Sequence, residues 1–183
     1  MNTPLLLRRA AAFGLDCLLL FVILGPLTFA LQQAFVDGPP TGRQLWVCLV
    51  IGFSVPAWAY FIVSDRSRRG ATVGKRVFGV RVTTQAGDHL SVGRAVGRTA
   101  LKLLPWELTH LSAFALSAEM NQLTTVQVVG LTAANLLGLT YLVSALVTRG
   151  RRSVHDYAAS TQVQLVNESP SCGDEEIKSG QAP

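Results

Sequence analysis

The residues most able to do chemistry here are acids set among apolar neighbours. Asp16 is the one charge among the 27 residues between Arg9 and Asp37. A carboxylate inside a hydrocarbon-spanning helix costs at least ~2.5–3.5 kcal/mol on insertion scales, so it faces protein or water and takes a partner. Two kinds of chemistry fit: an ion- or proton-responsive group, or a structural ion pair that fixes helix packing. Arg9 lies seven residues earlier on nearly the same helix face. The axial separation of ~10.5 Å is long for direct contact, so extended side chains or a third group would have to close it. Glu107 and His110 are spaced i, i+3 and share a face. Glu-x-x-His serves di-metal bundles, but those need two copies and two further carboxylates. No metal site is expected from the single copy. A proton relay of Asp16, Glu107 and His110 is one reading. The other pairs Glu107 with Lys102 or Arg98 near the interface, with Trp106 as an aromatic anchor.

His155 and Asp156 stand together beside Arg151 and Arg152. One His-Asp pair is too little for a metal centre. Next to cations the Asp156 carboxylate should stay ionised, accepting from backbone N–H groups or binding Arg9 or Lys75. Residues 70–76, GATVGKR, are one residue short of a phosphate loop, and Arg76 stands where the Mg²⁺-binding Ser or Thr is needed. That excludes nucleotide hydrolysis. The glycines should permit a tight turn, and Lys75 and Arg76 should meet lipid phosphates or helix carboxylates. No catalytic constellation is complete, so neither enzymatic activity nor a cofactor is expected.

The elements that must position these groups are apolar helices. Apolar residues make up 49% of the 183-residue chain and charged residues 15%, against about 25% charged in an average soluble chain. That composition excludes a disordered protein and argues against an ordinary cytosolic enzyme. Besides the Arg9–Asp37 stretch, 21 residues between Arg43 and Asp65 and 29 between Glu119 and Arg149 carry no charge. A membrane span needs ~20 apolar residues, so all three runs are long enough. Residues 99–118 are mostly apolar but contain Lys102, Pro105, Glu107 and His110. Before them Arg94, Arg98 and Lys102 recur every four residues. This pattern predicts an amphipathic helix in the lipid headgroups that turns into the membrane at Pro105 as a kinked third span, with a re-entrant hairpin as the alternative.

The expected fold is therefore an all-α membrane protein: a four-span bundle with spans at about 10–32, 44–64, 99–118 and 125–147. Four crossings place fifteen of the sixteen Lys and Arg residues on one side. The positive-inside rule then puts both termini and the 65–98 loop in the cytoplasm, within a bacterial inner (plasma) membrane. The basic residues follow the span boundaries, which argues against nucleic acid as a partner; lipid bilayer and further copies of the chain are the expected ones. In the loop, Phe78, Val80 and Val82 alternate with Gly79, Arg81 and Thr83 ahead of Ala86-Gly87-Asp88. This predicts a small β-hairpin between spans 2 and 3, with the β-prone run Thr161–Val166 able to pair with it. The polar stretch 167–183 is expected to be disordered.

Three segments, in order, resemble the RDD family of small membrane proteins, named for one arginine and two aspartates. RRAAAFGLD, residues 8–16, supplies Arg9 and Asp16. GATVGKRVFGVRV, residues 70–82, is similar to the family's G-x-T-x-G-K-R-x-x-G-x-x-V loop, with Gly70, Gly74, Lys75, Arg76 and Gly79 at its fixed positions. RRSVHDYAASTQV, residues 151–163, is similar to its R-x-x-H-D-x-x-A-x-T-x-V ending; Asp156 would be the second aspartate, and Ser160 stands where glycine is common. Transport has been suggested for the family, and some members look like cation/proton antiporters. The resemblance thus implies a cation/proton transporter or transporter-like protein, with Arg9, Asp16, Glu107, His110, His155 and Asp156 along an ion or proton pathway. The alternative is a non-transporting scaffold or assembly factor whose Arg/Asp set is structural.

Overall fold

The computed structural model describes residues 4–115 and 123–166. The chain is mostly helical. Helix α1 spans Leu5–Phe35. The next unit, Gly42–Arg66, is α2 (Gly42–Leu49), a π turn (Val50–Ser54) and α3 (Val55–Arg66) without a break. Its start is a capping box in which Thr41 accepts from the Gln44 N–H and the Gln44 side chain accepts from the Thr41 N–H. Pro56 has no N–H to give the preceding turn, and the wider π turn stands directly ahead of it. A short helix α4 (Val73–Val77) and strand β1 (Val80–Thr84) follow. Helix α5 covers Val92–His110 and passes into a second π turn, Leu111–Ala115. Helix α6 (Thr125–Val147), helix α7 (Val154–Ala158) and strand β2 (Thr161–Leu165) complete the described chain.

Three of these units, Leu5–Phe35, Gly42–Arg66 and Thr125–Val147, are long and apolar enough to cross a membrane. Their outward faces agree with their length. Leu18, Val22, Ile23 and Phe29 of α1 and Leu136, Leu139, Leu142 and Leu146 of α6 are exposed, apolar faces of the kind that mark a membrane or protein contact. The expected third span differs from these. Residues 116–118 of it lie outside the described residues, as does the stretch 167–183. The helix does not stop at Pro105. The carbonyl of Leu101, which the proline leaves without its helical N–H, accepts instead from the Tyr141 hydroxyl of α6 at 2.7 Å.

The expected hairpin is corrected. β1 pairs antiparallel with β2, Val82 opposite Val163, and the two strands form the whole sheet among the described residues. The chain does turn after Thr84, whose N–H donates to the Asp88 carbonyl. The return arm then goes into the N-cap of α5 at Ser91 rather than into a strand. The apolar face of β1 explains the choice. Val80 and Val82 need cover, and Val163 closes over them with Ala12, Leu90 and Ala95 to make a small core. A second core, Leu20, Leu24, Phe53, Ala57, Phe61 and Leu103, lies between the long helices.

Candidate functional site

The site begins with loop 70–76. Gly70 adopts φ 56° and its carbonyl accepts from the Val82 N–H at 2.8 Å. A side chain at Gly70 would strain that backbone and press on the Val82 carbonyl. Thr72 then caps α4, accepting from the Lys75 N–H while its hydroxyl donates to Asp16 Oδ2 at 2.5 Å. Gly74 lies flat against α1, where a Cβ would meet the Ala12 carbonyl. This close approach lets the Gly74 N–H donate to Asp16 Oδ1 at 2.8 Å. The Tyr60 hydroxyl of α3 donates to the same oxygen at 2.6 Å. The loop that resembles a phosphate cradle thus wraps a carboxylate of its own chain. Asp16 is fully buried and does not pair with Arg9.

Arg9 turns instead to the other end of the chain. Its Nη2 donates to Asp156 Oδ2 at 2.5 Å and approaches His155 Nε2 at 3.0 Å, and its Nη1 donates to the Gly150 carbonyl at 3.1 Å. Asp156 also accepts from the Ser153 N–H at 2.9 Å in the capping box of α7. Its other oxygen takes Arg98 Nε at 2.9 Å and Nη2 at 2.8 Å. The third guanidinium nitrogen of Arg98 donates to Asp65 Oδ2, and Lys75 Nζ reaches Asp65 Oδ1 at 2.6 Å. The result is an alternating chain, Arg9–Asp156–Arg98–Asp65–Lys75, joining α1, α7, α5, α3 and α4. Asp65, Arg98 and Asp156 are almost completely buried. Burial alone would raise the Asp156 carboxyl, but Arg98 and Arg9 outweigh it and hold the group well below the usual carboxylate range. Burial pushes His155 well below its ordinary value; Asp156 pulls the other way, and Arg98 and Arg9 oppose that pull. Arg9 can only donate, so Nε2 of the neutral ring accepts and the proton resides on Nδ1.

Several expectations are placed differently. The basic stripe is not one surface: Arg94 is exposed, Arg98 is the centre of the buried chain, and Lys102 lies over the Phe61 ring, 3.4 Å from its centroid. Helix α5 packs on both α3 and α6, which carries Arg98 into the interior. Glu107 pairs with neither Lys102 nor Arg98. It accepts from Trp58 Nε1 at 2.9 Å and Ser54 Oγ at 3.1 Å. His110 bonds the Trp106 carbonyl through Nδ1 at 2.8 Å and lies against the Trp106 ring. Asp16, Glu107 and His110 therefore have separate partners and form no hydrogen-bonded relay. Arg76 is exposed and bonds the Ala71 carbonyl. Gly79 adopts φ 65° and its carbonyl accepts from Val166. Among the described residues no group of three or more His, Cys, Asp or Glu gathers as a metal would require.

Sequence reasoning passed over Asp65, Thr72 and Tyr60, and placed Arg98 on a headgroup-facing stripe. Asp65 carried a usable signal. It is a carboxylate in the last turn of α3, where the helix dipole disfavours negative charge, so a nearby cation had to hold it.

Residues 3–160 match the RDD family. The chain belongs to the RDD family. No curated protein and no solved structure matches it. Family membership and the apolar exterior of the long helices together describe a membrane-embedded protein. The three RDD motifs are now one object. The first brings Arg9 and Asp16, the second wraps Asp16 and supplies Lys75, and the third supplies His155 and Asp156 to Arg9.

Proposed function

We propose that this RDD protein is a four-span protein of the bacterial inner membrane with both termini cytoplasmic, and that it acts as a non-transporting scaffold or assembly factor. Its Arg/Asp set is a lock on the cytoplasmic ends of the helices. One observation carries this reading. All six oxygens of Asp16, Asp65 and Asp156 accept from donors of the chain itself. A travelling cation would have to compete with these donors at every oxygen. The topology is supported by where the partners come from. Arg9 opens α1, Asp65 closes α3, Arg98 lies early in α5 and Asp156 follows α6, so four passes of alternating direction meet at one end. The exposed Arg66, Arg68, Arg69, Arg76, Arg94, Arg149 and Arg151 belong to segments at that same end, as the positive-inside rule requires. They offer a basic face to anionic lipid or to a partner.

A cation/proton transporter is the second reading, favoured by one feature: Asp16 and Glu107 line a common cleft. Proteoliposomes separate the two. The protein would be reconstituted around a pH dye under Na⁺, K⁺ or Li⁺ gradients, with Asp16→Asn as control. The scaffold reading expects no cation-driven proton movement, and a loss of stability in Asp16→Asn. Proton movement that disappears in an equally stable Asp16→Asn protein would carry the transporter instead.

A further inference from the structure

Helix α1 packs on the Gly42–Arg66 unit and on α4, whereas α6 packs on α5, and α1 and α6 make no comparable contact with each other. A cleft of about 740 Å³ lies between them. Phe13, Leu20 and Phe21 of α1 face Ala134, Leu139 and Leu142 of α6 across it, and Leu103 of α5 and Phe61 of α3 also line it. From Ala134 to Ala145 the α6 wall runs about 17 Å by helix rise. One end holds Arg9, Ser153 and His155. The neighbouring outer surfaces are the exposed leucines and valines of α1 and α6, so the mouth of the cleft opens to hydrocarbon rather than to water.

Lys102 projects into this cleft. An ammonium has three donors and no acceptor. Those of Lys102 have no hydrogen-bond or ion-pair partner among the described residues; the group rests between the Phe61 and Phe13 rings, 3.4 and 4.7 Å from their centroids. The two carboxylates that share the cleft are already held, Asp16 by Thr72, Tyr60 and Gly74 and Glu107 by Ser54 and Trp58. An ammonium that faces an apolar cleft without acceptors is costly, and the described residues supply none. The surrounding walls ask for an apolar body attached to such acceptors.

We propose that the cleft between α1 and α6 binds a phospholipid with an anionic headgroup, an acyl chain lying along α6 and a phosphate oxygen accepting from Lys102. Basic positions between transmembrane helices are known to suit anionic headgroups. The site goes beyond the scaffold reading and depends only on the protein being in a membrane.

The test uses the full chain, purified and delipidated in detergent, with bound lipid counted by native mass spectrometry. Phosphatidylglycerol is the probe, phosphatidylcholine the zwitterionic comparison with no net charge and oleate the single-chain acid. One retained phosphatidylglycerol, preferred over phosphatidylcholine by about tenfold or more, is expected because the choline ammonium offsets the phosphate charge beside Lys102 whereas phosphatidylglycerol keeps its net negative charge. Lys102→Met should abolish the preference. Gly138→Leu should reduce retention of both phospholipids, because Gly138 lines the cleft and a Cβ there meets open space. Equal retention of the two phospholipids, or a preference that survives Lys102→Met, overturns the proposal, as does retention of oleate alone. Should either variant fail to fold, the wild type decides. A photoactivatable acyl chain on phosphatidylglycerol should label Leu20 and Leu103, which line the cleft and are covered on its outer side. Labelling confined to outward residues such as Ile23 and Val143 would contradict the site.

Discussion

Gly74 and Ser160 are two positions where a single side chain has a sharp consequence. At Gly74 an added methyl would press on the Ala12 carbonyl and on Asp16. Gly74→Ala should cost about 1–3 kcal/mol, as overpacking does, and is measured by thermal unfolding in detergent. Ser160 adopts φ 53°, the left-handed region, with its N–H bonded to the Tyr157 carbonyl. The turn before β2 keeps its tight form at the expense of strain at a non-glycine residue. Ser160→Gly should therefore raise stability by about 1 kcal/mol, read in the same unfolding assay; a loss would mean that the serine side chain contributes something the backbone argument omits. At this scale the sequence was readable where a charge lay inside an apolar run. Asp16 announced itself in that way. Asp65 did not, because it lay at the boundary between an apolar run and a basic loop and read as a marker of the end of a span. Arg98 read as a headgroup residue because spacing of four places it with Arg94 and Lys102, and spacing alone does not tell which neighbouring helix covers which part of a stripe.

The elements were legible in kind and less so in pairing. The three apolar runs became the three long apolar units because their length and composition leave little choice. Strand β1 was legible from the alternation of Phe78, Val80 and Val82, and its partner, the run Thr161–Val166, was legible only as a candidate beside the hairpin's return arm. A hairpin and a return from the C-terminal segment present the same alternation, and long-range burial of Val80 and Val82 under Val163 decided between them. This pairing has a direct check. Arg81 stands opposite Gln164, so Arg81→Cys with Gln164→Cys should cross-link under mild oxidation in a background lacking Cys17, Cys48 and Cys172. The product is a reductant-sensitive mobility shift on a denaturing gel. Absence of the cross-link, with the reduced double variant still folded, would contradict the β1–β2 register. Helix α5 shows the same limit. Its amphipathic pattern was legible, but its capture between α3 and α6 follows from partners far away in sequence, among them Tyr141 taking the Leu101 carbonyl that Pro105 leaves free.

For the whole molecule the alternating charge chain is the organising feature, since it ties α1, α3, α4, α5 and α7 at one end. Its pH dependence has a definite sign. His155 faces Arg9 of α1, Arg98 of α5 and its own neighbour Asp156, with Tyr141 of α6 against its ring. Its pKa is lowered from 6.5 in the fold, so the unfolded chain takes up its proton first. Stability from this group is present above pH 6.5 and is lost as pH falls below it. Asp156 is lowered from 3.8, and its contribution is lost in turn as pH falls below that value. Melting temperature in detergent should therefore decline from pH 7 to pH 5 and again below pH 4, and His155→Gln should remove the first decline. The central claim, that the buried charges are a structural lock, is tested most directly by the unfolding free energy of Arg98→Met. The substitution leaves Asp65 with Lys75 alone and Asp156 with Arg9 alone. Breaking a buried pair from one side costs about 3–5 kcal/mol, and a loss of that size is the predicted result. A variant within about 0.5 kcal/mol of wild type, the ordinary range for surface substitutions, would contradict the account.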